Sequence, residues 1–550
     1  MQGKKLILAT ALLAALSLSA CGETAPETTM ESPEAAPVET SAAMDPAVTD
    51  SADEPVSTLI AEEITVAELQ TAMANGELTA AAIVEHYLDR IQKLDGSTNS
   101  VIEINPDALS IALQLDQERA AGRVRSPLHG IPVLLKDNID TADNMKTTAG
   151  SLALLGAPTP ARDAFVVQQL RDAGAVILGK TNLSEWANFR SSSSSSGWSA
   201  RGGQTRNAYN TDVTPCGSSS GSGVATAANL TVLSVGTETD GSIICPASNN
   251  SLVGIKPTLG LVSRSGIIPI AHSQDTAGPM ARTVSDAATL LTAMVGVDPN
   301  DRITLNGVTS EPVDYSNSLE VGSLNGKRIG VMRSVFDRNP AVDRLMEQAI
   351  LAMRNAGATV IDLDIRNTPE INTAEYEVLL YEFKDGLNRY LTQRGGFYQS
   401  LEHLIRFNEV NPDTQMPHFG QEIFLQAQAK TNLRDPAYVA ALSTAKSGSQ
   451  SIIDGALQAN QLDAIVAPSN GPGWRIDLEN GDDGSTVNYV SSAGLAAISG
   501  YPAITVPAGF VHGLPVGISF MGAAFSEPVL ISMAYDFEQK TLSRRAPGQH

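Results

Sequence analysis

The sequence of residues 215–258 reads PCGSSSGSGVATAANLTVLSVGTETDGSIICPASNNSLVGIKPT, with two loops of small residues on either side of an apolar segment. The first loop, residues 216–223, is rich in Gly and Ser, so its backbone can adopt positive φ and bring N–H groups close to a ligand. The second loop, residues 237–242, ends in Gly-Ser and places a hydroxyl beside backbone donors. Between them, residues 230–235 have the apolar, β-branched composition of a buried strand. We therefore predict that serines of the two loops meet at one edge of a sheet.

Several segments outside this stretch complete a pattern. Together they resemble the amidase signature family, whose hallmark is a Gly/Ser loop, then a loop of the type GTDxGGS, then a GxKPT segment. Residues 128–140 (LHGIPVLLKDNID) are similar to the family's lysine segment, and residues 163–185 (DAFVVQQLRDAGAVILGKTNLSE) to its helix–strand–turn. Residues 263–288 (SRSGIIPIAHSQDTAGPMARTVSDAA) and 501–522 (YPAITVPAGFVHGLPVGISFMG) continue the pattern. The resemblance implies the amidase signature fold and the hydrolysis of amides.

The periodicity of the chain indicates the fold class independently. Residues 65–68 (TVAE) form a capping box that opens a helix, and helical spacing recurs over residues 83–91. Farther on, helix and strand patterns alternate, including strands at residues 328–332 and 359–363 around a helix at residues 343–356. We predict an α/β fold, an α/β/α sandwich around a large mixed sheet, as one domain over residues 61–545.

The family resemblance implies a Ser-Ser-Lys triad. It assigns Ser242 as the nucleophile, Ser218 as the bridging serine, usually with a cis peptide, and Lys136 as the base. A serine hydroxyl is a poor nucleophile unless a neighbour removes its proton, and a lysine can do so only when neutral. The apolar residues 131–135 before Lys136 predict a desolvated site, which lowers the pKa of an ammonium group.

The same resemblance implies an oxyanion hole built from backbone N–H groups. These are the N–H groups of Thr239, Asp240, Gly241 and Ser242, and Ser219 is expected to support the loop. One such donor is typically worth about 3 kcal/mol of transition-state stabilisation. Asp240 stands where the family motif has glycine, so its carboxylate has to point away from the developing charge.

Two departures from the family pattern indicate a substrate class. The CGSSSGSG and GTETDGS variants, with residues 197–207 (GWSARGGQTRN), are similar to the peptide amidase branch, which removes C-terminal amides from peptides. Relatives that act on acidic substrates place an arginine just after the nucleophile, whereas this chain has Ile243, Ile244 and Cys245. We expect a neutral or apolar acyl group. The alternatives are an aryl or fatty acyl amidase that releases an amine, and a catalytically silent binding protein.

Three other motif matches are weaker. Ser219 lies in a G-x-S-x-G sequence, but the polar residues 210–215 before it do not form the buried strand that a nucleophile elbow needs. Residues 174–181 match a phosphate-binding loop, but their variable positions have strand composition. Ser443 and Lys446 match S-x-x-K without its companion motifs. We interpret these segments as a turn, a strand and an exposed helix turn.

The N-terminus predicts export. Residues 1–20 have a basic start and an apolar run too short to span a bilayer, as in a signal peptide. The sequence LSAC at residues 18–21 resembles a lipobox, so Cys21 is expected to carry lipid and anchor the protein in the bacterial cell envelope, in the outer membrane facing the periplasm. The alternative is an ordinary signal peptide cleaved near Ala20.

Composition constrains the remaining partners. Residues 22–63 contain eleven acidic residues and no Lys or Arg, which is nearly half of the formal net charge of −23. Residues 21–60 are therefore predicted to be a disordered acidic tether, and nucleic acid is an improbable partner. No cofactor is expected, and no His, Cys and carboxylate cluster has metal-binding spacing. Cys216 and Cys245 are expected to be buried thiols, with a disulfide as the alternative in an oxidising compartment. The sequence leaves the oligomeric state open.

Overall fold

The computed structural model describes residues 60–306, 313–482 and 490–548, which form one compact unit. The predicted signal peptide, the lipidation site Cys21 and the acidic tether up to residue 59 lie outside the described residues. The domain boundaries therefore stay predictions. Within the described ranges, no helix is both long and apolar enough to cross a membrane.

Helices surround the sheet and form a separate bundle at one end of it. The α-helices are α1 (Val66–Ala74), α2 (Ala80–Leu94), α3 (Ala108–Ala120), α4 (Phe165–Asp172), α5 (Ser220–Ala227), α6 (Ile244–Asn249), α7 (Val284–Met294), α8 (Pro340–Asn355), α9 (Pro369–Arg394), α10 (Leu401–Val410), α11 (Pro412–Gln415), α12 (Glu422–Gln428), α13 (Pro436–Leu442), α14 (Gly448–Asn460), α15 (Ala493–Ser499) and α16 (Glu527–Thr541). A π-helical turn, Ser443–Ser447, joins α13 to α14. The capping box at Thr65 and Glu68 is confirmed, because each side chain accepts a backbone N–H of the other residue.

One mixed sheet of eleven strands crosses the protein, with helices on both faces. The strands are β1 (Val101–Ile104), β2 (Pro132–Lys136), β3 (Val176–Thr181), β4 (Trp198–Ser199), β5 (Gly203–Gln204), β6 (Leu233–Glu238), β7 (Val253–Lys256), β8 (Thr276–Ala281), β9 (Arg328–Met332), β10 (Thr359–Leu363), β11 (Ala464–Pro468), β12 (Ala503–Val511) and β13 (Leu514–Met521). Their order is β1-β3-β2-β6-β8-β7-β12-β13-β11-β9-β10, and β4 and β5 form a separate hairpin. This is the predicted α/β/α sandwich of the amidase signature fold.

Parallel pairing of β2 and β6 determines where the site forms. Val133 pairs with Leu233, and Leu135 pairs with Val235, so the two strands end at the same edge of the sheet. We predicted the second strand at residues 230–235, but it begins at Leu233 and continues to Glu238. The backbone N–H of Leu230 donates to the carbonyl of Ala225 and ends α5, so residue 230 belongs to the helix terminus.

Other local predictions follow the sequence closely. The predicted strands at residues 328–332 and 359–363 are β9 and β10, and they pair in parallel. The match to a phosphate-binding loop is the buried strand β3, and the match to S-x-x-K lies in the π-helical turn, where Ser443 is exposed and Lys446 is half-buried. No strand precedes Ser219, as expected, because residues 214–219 have no strand assignment.

Helix α9 contributes both to a packed core and to the wall of a cavity. Apolar side chains of α9, α10 and α12 form a core separate from the one under the sheet, and Phe383, Leu387 and Phe424 are fully buried in it. In the first turns of α9, the side chains of Asn372, Glu375 and Leu379 line a cleft instead of packing in this core.

Candidate active site

Lys136 is the last residue of β2, and its side chain is completely buried. Its Nζ lies 2.8 Å from Oγ of Ser218, 2.8 Å from Oγ1 of Thr237 and 3.1 Å from the carbonyl oxygen of Thr237. The side chain of Asn138 donates to Oγ1 of Thr237 at 3.0 Å. Ser218 and Thr237 thus hold the amine directly, and Asn138 holds the hydroxyl of Thr237 in place.

Burial changes the acid–base character of this amine. Removal from water lowers the pKa of Lys136 to about 7, and the negative charges of Glu238 and Asp275 oppose part of this shift. The sequence predicted this direction from the apolar residues before Lys136. A substantial fraction of the lysine is therefore neutral near neutral pH, which is the form that can accept a proton.

Ser218 reaches Lys136 from the Gly/Ser loop. The peptide bond between Gly217 and Ser218 is cis, and the carbonyl oxygen of Ser218 accepts the N–H of Ser184 at 3.1 Å. Glycine is required in the first turn of α5, because a Cβ at Gly221 would lie 2.2 Å from the carbonyl oxygen of Ser100. Small residues thus allow the loop to pack tightly against neighbouring backbone.

Ser219 ties this loop to β6 and to the second loop. Its Oγ donates to the carbonyl oxygen of Thr237 at 3.0 Å and accepts the N–H of Thr237 at 3.1 Å. Its backbone N–H donates to the carbonyl oxygen of Ser242 at 3.2 Å. The hydroxyl of Ser219 is buried and engaged, which fits a supporting position and not that of an exposed nucleophile.

Ser242 lies at the base of a cleft of about 890 Å³. Its side chain is largely buried and lines the cleft together with Thr239, Asp240 and Gly241. Among the described residues, Oγ of Ser242 has no hydrogen-bond partner, and it makes no hydrogen bond to Ser218. Lys136 thus contacts Ser218 directly. Ser242 is connected to the same loop through the backbone hydrogen bond from Ser219.

The carboxylates of Glu238 and Asp275 hold the loop that carries Ser242 through hydrogen bonds. Oε2 of Glu238 accepts the N–H groups of Ile243 and Ile244 at 2.7 and 2.9 Å. Oγ1 of Thr239 donates to Asp275 at 2.6 Å, and Gly241 adopts a φ of 76°. Within the described part of the chain, no acceptor receives the backbone N–H groups at positions 240–242. These donors are available to a ligand in the cleft.

Asp240 is exposed to the cleft, and its carboxylate faces the first turn of α15. Its two carboxylate oxygens lie 3.7 and 3.9 Å from the position that a Cβ on Gly494 would take. Partial removal from water between the cleft walls raises the pKa of Asp240, and the negative charge of Glu238 raises it further.

Cys216 and Cys245 form a disulfide, so the prediction of two free thiols is wrong. Their Cα atoms are 5.9 Å apart, which suits a disulfide. Sequence could not reveal this, because the distance depends on how the two loops pack. The bond connects the residue before Gly217 with the third residue after Ser242, and both cysteines line the cleft.

The walls of the cleft come from distant parts of the chain. The loop after β11 contributes Gly471, Pro472, Gly473 and Trp474. Apolar side chains complete the walls; these are Phe189, Ile270, Met332, Val335, Leu379, Val490, Leu495 and Ile498. The sequence reasoning missed Thr237, Asn138 and Glu238 as supports of the site, although all three are close in sequence to predicted site residues.

The chain belongs to the amidase signature family, and it is an amide hydrolase. The sequence profile of the Amidase family matches residues 82–531, which is most of the chain. A probable amidase of Arabidopsis thaliana is 44% identical over 502 residues, which cover 89% of this chain and 92% of the relative.

Among solved structures, the fold is similar to that of a bacterial peptide amidase. Native peptide amidase from Stenotrophomonas maltophilia is 51% identical, with a TM-score of 0.84, over 88% of this chain and 98% of that chain. A peptide amidase in complex with the competitive inhibitor chymostatin is 52% identical, with a TM-score of 0.86, over 88% and 99% of the two chains.

Proposed function

We propose that this amide hydrolase removes the terminal carboxamide of peptides or similar amides through an acyl-enzyme on Ser242. The observation that carries the proposal is the 2.8 Å contact between the buried Lys136 amine and Ser218, beside a cleft lined by Ser242. The similarity to peptide amidases over most of the chain supports the substrate class.

Acylation begins with proton transfer from Ser242 to Ser218 and from Ser218 to neutral Lys136. For this transfer, the Ser242 hydroxyl has to come within hydrogen-bonding distance of the Ser218 hydroxyl. Oγ of Ser242 then forms a bond to the amide carbon, and the carbonyl oxygen becomes an oxyanion. The backbone N–H groups of Thr239, Asp240, Gly241 and Ser242 stabilise it.

Collapse of the tetrahedral intermediate breaks the C–N bond. The proton held by Lys136 returns through Ser218 to the leaving nitrogen, so a primary amide releases ammonia. Water then attacks the acyl-enzyme, transfers a proton along the same path and releases the carboxylic acid. In each half of the reaction Lys136 acts first as a base and then as an acid.

The residues that follow Ser242 indicate which charge the acyl group of the substrate carries. Ile243 and Ile244 are buried, so no cationic side chain there reaches the cleft to hold a substrate carboxylate. An acyl group without a negative charge fits this arrangement. A cleft of about 890 Å³ is large enough for several residues of a peptide.

A substrate panel tests the proposal. Amidated peptides, simple aliphatic and aromatic amides, anilides and N-acyl amines are incubated with the enzyme, and release of ammonia and of amine is measured separately. We expect ammonia from the amidated peptides at the highest kcat/KM. Preferred release of amine would instead favour the aryl or fatty acyl amidase alternative.

Labelling by a serine-directed phosphonate separates an enzyme from a silent binding protein. We expect one phosphonyl group, located on Ser242 by mass spectrometry, and none on the Ser242→Ala variant. Labelling of Ser219 instead would contradict the assignment of the nucleophile.

A further inference from the structure

Two carboxylates line the cleft beside the nucleophile, and neither has a role in the proposed mechanism. One is Asp240, whose side chain is exposed to the cleft two residues before Ser242. The other is Glu375 in the second turn of α9, whose residue surface is only 9% exposed. They approach the cleft from different elements, 135 residues apart in the chain.

Gln274 holds Glu375 next to the loop of the nucleophile. Nε2 of Gln274 donates to Oε1 of Glu375 at 2.9 Å and to the carbonyl oxygen of Thr239 at 3.2 Å. A single amide group therefore connects Glu375 to the residue before Asp240. This arrangement fixes the carboxylate of Glu375 at the base of the cleft and leaves its second oxygen without a hydrogen bond to any described residue.

The described residues provide no direct ion-pair partner for these two carboxylates. No Lys, Arg or His nitrogen of the described residues lies within ion-pairing distance of Asp240 or Glu375. Burial raises the pKa of Glu375, and the charge of Asp240 raises it further. Two like charges in one cleft are unfavourable unless a proton or a ligand cation lies between them.

Three other charged side chains line the cleft, namely Asp482, Arg338 and Arg366. Asp482 accepts the N–H of Ser196 and the indole N–H of Trp474, and Arg366 pairs with Asp364. Lys256 is buried on β7, where its charge acts on Asp240 through the protein.

We propose that Asp240 and Glu375 together select amide substrates that carry a positive charge on the acyl portion. This inference rests on the proposed function and narrows it. The apolar residues that follow Ser242 disfavour an acidic acyl group. The carboxylates of Asp240 and Glu375 additionally favour a cationic acyl group. An ammonium or guanidinium group provides several N–H donors for the carboxylate oxygens that face the cleft.

Matched substrates test the charge directly. N-acetyl-argininamide is compared with N-acetyl-citrullinamide, which has nearly the same size without the charge. Leucinamide and N-acetyl-leucinamide form a second pair, which distinguishes a free α-ammonium group from a side-chain cation. For one of the two pairs, we expect kcat/KM to favour the cationic member by about tenfold to a hundredfold, the usual range for a hydrogen-bonded charge.

The Glu375→Gln variant keeps the hydrogen bond to Gln274 and removes the charge. We expect the preference for the cationic member to fall at least several-fold, mainly through KM, while citrullinamide derivatives are still hydrolysed. Glu377→Gln is the matched control, because it removes a carboxylate from the same helix that pairs with Lys430 and does not line the cleft. The preference in this control is expected to equal that of the unchanged enzyme.

The outcomes separate the two proposals. Hydrolysis of neutral amides without a preference for either cation, or an unchanged preference in Glu375→Gln, overturns the charge selection alone. Absence of turnover with every amide overturns both. Direct binding to the Ser242→Ala variant, measured by calorimetry, provides a second readout, in which the cationic ligand is expected to bind more tightly than its neutral counterpart.

Discussion

The amine nitrogen of Lys136 lies 2.8 Å from the hydroxyl oxygen of Ser218, and neither side chain has surface exposed to solvent. A charged ammonium in this position loses its hydration, whereas a neutral amine can accept the serine proton. Burial of Lys136 thus favours its neutral, basic form, and its contact with Ser218 provides the first step of the proposed proton path.

Loss of either end of the proton path is expected to remove activity. We predict that Ser242→Ala and Lys136→Ala each lower kcat by roughly 10⁴-fold or more, the scale seen when one member of a catalytic triad is removed. For Lys136→Ala the loss is greatest at neutral pH, where hydroxide cannot replace the base. Steady-state release of ammonia measures the effect.

Ser222→Ala is a suitable control for these variants. Its Oγ lies 2.8 Å from Oγ1 of Thr181 and donates to the carbonyl oxygen of Val235, away from the cleft, although the residue belongs to the same Gly/Ser loop. We expect near-normal kcat with a loss of roughly 1–3 kcal/mol in the free energy of unfolding, because Thr181 loses its partner. Normal activity in Ser242→Ala or Lys136→Ala would contradict the proposed mechanism.

The pH dependence of kcat/KM is expected to follow the protonation of Lys136. Because its pKa is lowered to about 7 and the base has to be neutral, the rate rises as pH increases through about 7 and levels off above it. No histidine of the described residues lines the cleft, but Asp240 does, and its pKa is raised to about 7, so its titration falls in the same pH range.

A substitution tests whether the titrating group lies beside Glu238, whose negative charge raises the pKa of both Lys136 and Asp240. The negative charge of Glu238 raises the pKa of Lys136, so Glu238→Gln is expected to move the limb to lower pH. Glutamine keeps an oxygen that can accept the N–H groups of Ile243 and Ile244. A limb that stays in place would assign the titration to another group.

The disulfide between Cys216 and Cys245 is expected to stabilise the protein. It closes a loop with a sequence separation of 29, for which chain entropy gives roughly 3–4 kcal/mol. We predict a lower Tm in the presence of reductant, measured by calorimetry. The double variant with serine at both positions is expected to melt at the lower temperature with or without reductant. A Tm that does not respond to reductant in the unchanged protein would argue against the cross-link.

Lipid attachment at Cys21 remains a prediction from the sequence alone. We propose that the protein expressed in a bacterial host incorporates labelled palmitate and enters the detergent phase on Triton partition. Cys21→Ser is expected to lose both properties, whereas Cys216→Ser keeps them. If Cys21→Ser is labelled as strongly as the unchanged protein, the lipid is not attached at Cys21 and the prediction is wrong.

The sequence predicted the features that depend on local composition. The apolar run before Lys136 indicated a buried base, and the small residues around Ser218 and Ser242 indicated tightly packed loops. Features that depend on long-range packing were not accessible. Glu375 reaches the cleft only because α9 lies beside the loop that carries Ser242, and no local pattern distinguishes it from other acidic residues of a helix.

The disulfide between Cys216 and Cys245 also depends on long-range packing, which the sequence does not show. This bond has a consequence for the maturation of the enzyme. Before oxidation, the two loops that carry Ser218 and Ser242 are joined directly through the N–H of Ser219 and packing contacts. Under the predicted export, the two thiols stay reduced in the cytoplasm, and the disulfide forms after the chain has reached an oxidising compartment. The predicted export would therefore decide when the cross-link between the loops of Ser218 and Ser242 is made.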